Sequence, residues 1–182
     1  MITPLITLSL VLLSISYSPW FNWSENALSD LGVHEAAVLF NSSLMISGIL
    51  TFVFAVGLVL VLRQSPIGLI GVFALILAAV SLFAIGFFPE TAGDIHYYVS
   101  VSFFTFDTLS MLIIGAALVR QSSGKSVGAF SILAGLFSAV VWTVFLNLPH
   151  KGVAIPETLS YLATSAWSGT MGTRLFKQSS RA

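Results

Sequence analysis

The sequence predicts an all-α, polytopic integral membrane protein built as a single six-transmembrane-helix bundle. Three observations carry this. Of 182 residues, 57% are hydrophobic and only 8% are charged. A soluble domain carries about 25% charged residues, so most of this surface has to face lipid. Long apolar segments alternate with short polar connections along the whole chain. The basic residues, finally, collect at alternate connections.

The first segment, 2–18, is uncharged and just long enough, at about 1.5 Å per residue, to cross about 30 Å of hydrocarbon. It has no basic leading region and no convincing small-residue cleavage site, so it reads as a helix rather than a signal peptide. Pro19, Trp20, Phe21 and Trp23 follow as an interfacial belt. The longest polar interruption, 22–41, comes next and holds Glu25, Asp30, Glu35 and His34 but no Lys or Arg. Within it, Ser24 is suited to an N-cap and Gly32 to a helix end, which predicts a short interfacial helix over 25–31. Asn22-Trp23-Ser24 also fits a glycosylation acceptor, a three-residue pattern of low specificity.

The remaining helices are expected at 36–62, 66–88, 97–119, 127–146 and 155–176. Gly68, Gly71, Ala74 and Ala78 form a small-residue stripe on the third helix, suited to close helix approach and to homo-oligomer formation. Gly124-Lys125-Ser126 resembles half of a phosphate loop. Position 119 is Val and no strand precedes it, so that reading fails.

In a six-helix arrangement Arg63, Arg120, Lys125, Arg174, Lys177 and Arg181 share one side and only Lys151 lies on the other. The positive-inside rule then places both termini in the cytoplasm of a cell-membrane protein. Zero net charge without a basic block argues against nucleic acid and leaves membrane lipid as the natural partner. The absence of cysteine excludes disulfides and thiolate metal sites.

Each outer connection holds one histidine, His34, His96 or His150, with acids or amides nearby. Three imidazoles suit Zn²⁺, which in catalytic sites takes three protein ligands and keeps one open position. Loop histidines at headgroup depth are more simply accounted for as hydrated side chains, and no HxxxH or HxxE spacing prearranges a ligand pair. Helical spacing extends the polar pattern inward. His96, Ser100 and Asp107 share one face of the fourth helix, and Glu157, Tyr161 and Thr164 one face of the sixth. His34 and Asn41 line up on the second. Converging, these stripes would line a pocket opening to the outer face, with Asp107 at its floor and Asp30 in the loop above. The more uniformly apolar first, third and fifth helices are then expected to cover the outside. An aspartate at mid-helix costs about 2.5–3.5 kcal/mol on insertion scales. It is either a substrate, cation or proton site, or a protonated or amide-paired structural residue.

Leu28-Ser29-Asp30-Leu31-Gly32, Phe40-Asn41, Phe88-Pro89 followed by His96, and Ile155-Pro156-Glu157 together resemble domain-of-unknown-function family 998, an uncharacterised prokaryotic membrane family. The resemblance implies a compact six-helix bundle and no particular activity. Three functional classes stay open. One is an outward-facing site for a lipid headgroup, small ligand or metal, extending to a metal-dependent hydrolase. Another is a proton-coupled or small-solute carrier using Asp107, and the third a structural or assembly protein without chemistry.

Overall fold

A computed structural model of the chain describes residues 3–122, 124–149 and 151–179. The described residues form six α-helices: α1 (Thr3–Ser16), α2 (Ala37–Leu62), α3 (Pro66–Phe87), α4 (Asp94–Val119), α5 (Lys125–Leu146) and α6 (Ala154–Ser179). Four of them, α2 to α5, are long and apolar enough to cross a membrane. Large apolar side chains on their outer faces, such as Leu60 at 70% exposure, Phe73 at 60% and Leu133 at 64%, have hydrocarbon as their only favourable surrounding. The protein is therefore a helical membrane bundle.

Local chemistry sets the helix ends. Ser65 caps α3 by accepting from Gly68 N–H at 3.1 Å, with Pro66 in the first turn, where its missing N–H breaks no bond. Gly93, at φ 65°, turns the chain into α4; the helix consequently starts at Asp94, earlier than the expected Tyr97. α1 is shorter than expected. The chain tightens through Ser18 N–H to Ile15 O at 2.9 Å ahead of Pro19, and the 14 described residues reach about 21 Å rather than a full span.

The expected interfacial helix over 25–31 is also replaced, by a 3-10 turn at Leu28–Gly32. Asn22 Oδ1 accepts from Ser24 N–H at 2.9 Å and Asn26 Oδ1 from Asn22 N–H at 2.9 Å. Those side chains outcompete the helical ladder, as short amides do near turns. Gly32 carries no positive φ. Its role is space: a Cβ there would lie 2.5 Å from Asn41 Oδ1.

Short connections make α2 to α6 successive antiparallel neighbours, α1 packs on α2 after the longer loop over 17–36, and α6 returns towards α2 and α4. Small residues let backbones touch. The Gly68, Gly71, Ala74, Ala78 stripe is buried inside the chain, so α3 uses it on its own neighbours. At the end of the bundle bearing Arg63, Arg120 and Arg174, a dense core of Leu58, Leu62, Met111, Leu118, Trp167 and Met171 fills the centre. Trp167 Nε1 donates to Ser131 Oγ at 2.9 Å within it. Towards the acidic end the core gives way to a cavity.

Gly48 lies at the α2–α3 contact, where an added Cβ would come 2.6 Å from Phe83 N and 2.8 Å from Ala79 O. Gly48→Ala is expected to cost about 1–3 kcal/mol, the usual penalty for overpacking. Gly169→Ala, where a Cβ meets nothing within 4 Å, is expected to be neutral or slightly stabilising. SDS unfolding titrations in mixed micelles compare the two directly.

Candidate functional site

The cavity measures about 180 Å³ and is bounded by α1, α2, α3, α4, α6 and the 3-10 turn. Most of its wall is aliphatic or aromatic. Its polar groups are hydroxyls and two carboxyls, Asp107 and Glu157, and no Lys, Arg or His lines it among the described residues.

Asp107 is 3% exposed. Thr164 Oγ1 donates to its Oδ2, and the other carboxyl oxygen has no hydrogen-bond partner among the described residues. Thr164 also lies 3.0 Å from Ser160 O. A hydroxyl has one proton, so it satisfies one of these acceptors at a time unless Asp107 is itself protonated and donates back. Nearly one turn back along α6, the Tyr161 hydroxyl donates to Pro4 O, tying α6 to the start of α1. Thr7 and Ser47 pair across α1 and α2.

The roof is the loop over 22–32. Glu157 Oε2 accepts from Leu28 N–H at 2.7 Å. Ala154 N–H donates to Asn26 O at 2.9 Å, and Gly152 packs so closely on Asn26 that a Cβ would lie 2.2 Å from its carbonyl oxygen. Lys151 Nζ meets Glu25 Oε1 at 2.7 Å; the pair lies at the surface, where such bridges contribute little. Its local effect is to hold the Glu25 carboxyl below its ordinary range. Trp23, Leu28 and Ser29 close the acidic end of the cavity.

Of the residues expected to converge, Ser100, Asp107, Glu157, Tyr161 and Thr164 all line the cavity. Asn41 and His96 do not, which corrects that part of the expectation. Both sit near helix ends, where unpaired carbonyls compete for side-chain donors. Asn41 Nδ2 donates to Gly32 O at 2.8 Å, and His96, 7% exposed, uses Nδ1 on Phe88 O at 2.8 Å. Asp30 is engaged in its own loop, accepting from Asn26 Nδ2 at 2.7 Å and Ala27 N–H at 3.2 Å. His34 lies edge-on to Trp20, ring centres 4.5 Å apart, on the exposed face. His150 lies outside the described residues. Among the described residues no group of three or more His, Asp or Glu is arranged to hold a metal ion.

The walls also correct the expected division of labour. α1 and α3 do not only cover the outside: Thr3, Pro4, Thr7 and Leu8 of α1 and Leu75, Leu82 and Ile85 of α3 line the cavity. The available signal was slight: Thr3 and Thr7 in α1, and Ser47 and Thr51 in α2, stand four residues apart, each pair on one face.

Glu90 stands beside Asp30 at the rim. Partial burial of its carboxyl, then the hydrogen bond and negative charge of Asp30, push it up from 4.5 to about 7. A carboxyl raised in the folded state binds more protons folded than unfolded. Its contribution therefore declines as pH rises from about 4.5 through about 7. After correction for intrinsic exchange rates, amide protection over 28–33 is expected to fall across that window. Glu90→Gln is expected to flatten the fall, and an identical fall in the variant would contradict the assignment.

No curated protein and no solved structure matches this chain. One family model does, over residues 1–174, and by that match the chain belongs to the family described as protein of unknown function (DUF998).

Proposed function

We propose that this protein binds an amphipathic, lipid-like small molecule within the membrane, in the cavity between α1, α2, α4 and α6. The carrying observation is the pairing of an apolar wall with a buried carboxyl, Asp107, that retains an unpartnered oxygen. Apolar pockets with a few convergent polar groups are the usual form of small-molecule sites. The dense core beneath the cavity and the latched loop above it favour a binding site over an open channel. A carrier reading draws on the same carboxyl, since intramembrane acids commonly serve proton or ion relays.

The protein is placed in the cell membrane with both termini cytoplasmic, on the six-to-one distribution of basic residues. Cysteines introduced at Thr91 and Ser122, both exposed and at opposite ends of the bundle, are expected to react with an impermeant maleimide from opposite sides. Labelling of both from one side would contradict the topology.

Trp23 and Trp167 both line the cavity and report on its contents. Bromoundecyl maltoside, added to protein in dodecyl maltoside micelles, is expected to quench their fluorescence saturably. Thr51→Phe, which fills part of the cavity, is expected to weaken that binding about tenfold, equivalent to about 1.4 kcal/mol. Non-saturable quenching, equal in the variant, would mean simple partitioning into the micelle and would sink the proposal.

A further inference from the structure

We infer that the polar end of the occupant is a protonated amine, seated on Asp107 and delivered from the lipid through the seam between α1 and α6; this rests on the binding role proposed above.

Charge selects the head. Among the described residues the cavity is lined by two carboxyls and no basic side chain. The nearest cation on α6, Arg174, lies at the opposite end of the bundle and engages Gln121 Oε1 at 3.3 Å. An anionic head would meet two acids with no compensating charge, an arrangement that rejects ligands strongly in a desolvated site. A neutral head finds hydroxyls but nothing that prefers it over water. An ammonium brings three donors. One satisfies the unpartnered oxygen of Asp107, and the positive charge replaces the proton that a lone carboxyl in hydrocarbon must otherwise hold. The rings of Phe103, Phe104, Tyr161 and Trp167 in the wall add favourable faces for a cation.

The route follows from the packing. Consecutive helices pack on one another around the bundle, but among the described residues α6 and α1 have no comparable contact. The hydrogen bond from Tyr161 to Pro4 O spans their seam. The way from the aqueous side is covered by Trp23, Leu28 and Ser29 and latched by Glu157. A molecule arriving from the bilayer needs only that seam to part. Its ammonium belongs either to an ethanolamine lipid or to a free amphiphilic amine.

The test compares bromoundecyl chains ending in ammonium, sulfate or maltoside, each titrated against tryptophan fluorescence in dodecyl maltoside micelles. The ammonium probe is expected to bind at least about tenfold more tightly than the sulfate. Asp107→Asn is expected to bring that ratio below about threefold while the maltoside probe still binds. Equal or tighter binding of sulfate, or a cation preference unchanged in Asp107→Asn, would overturn the inference with the binding role intact. No saturable quenching by any probe would instead remove the binding role itself. Where Asp107→Asn loses the maltoside probe and so its fold, Asp107→Ser, whose hydroxyl can still pair with Thr164, is read in its place, and an undiminished cation preference there overturns the inference. Short-chain phosphatidylethanolamine and unbrominated undecylamine are added as competitors. Displacement by the lipid supports the inference with a membrane lipid as the source, displacement by the amine alone supports it with a free amine, and displacement by neither overturns it.

Discussion

The bundle depends on how it accommodates one carboxyl group. Asp107 sits 13 residues into α4, about 20 Å along the helix from Asp94 and far from bulk water at either end. Lipid offers it nothing. Thr164 supplies the hydrogen bond, and that single requirement brings α6, the least apolar of the long helices, into the centre of the protein. Around it Tyr161, Ser165 and Ser168 turn towards the same space, the backbone-directed bonds of the two serines keeping the α6 face polar without leaving those groups unsatisfied. The cavity is the consequence of a polar face that has to be inside but is not tightly packed there.

The loop over the acidic end has a matching logic. Its acids do not simply hydrate the surface. Glu157 holds Leu28, Asp30 holds Ala27 and Asn26, and Asn41 holds Gly32. Backbone groups in a loop at the membrane face must be satisfied by protein or water, and here side chains from α2 and α6 perform that task. The loop is thereby fixed as a roof, with Trp23 against the cavity and Glu90 at its rim.

Much of this was readable from helical spacing. Ser100 and Asp107 on α4, and Glu157, Tyr161 and Thr164 on α6, are linked by a rigid periodicity and an energetic demand, and both survive folding. Asn41 and His96 satisfied the same spacing but lie near helix ends, where the orphan carbonyls of Gly32 and Phe88 were nearer partners than the cavity. Spacing alone carries no information about such local competition. The role of α1 was obscured for a different reason. Thr3 and Thr7 bear no charge, and a hydroxyl in an apolar helix imposes too small a cost to demand a partner, so nothing in the pattern required α1 to face inward. The loop helix over 25–31 failed because Asn22, Asn26 and Asp30 bond to nearby backbone, a choice that propensity and hydrophobic spacing do not resolve.

The environment of Asp107 is tested most directly by a cryo-electron microscopy structure of the full chain in lipid nanodiscs, at a resolution that places its carboxyl. The expected result is Asp107 directed at Thr164, with an elongated non-protein density running from its free oxygen along the apolar wall between α1 and α6. Asp107 turned outwards to lipid or to a second copy of the chain, or side chains collapsed to fill the space between α2, α4 and α6, would contradict it.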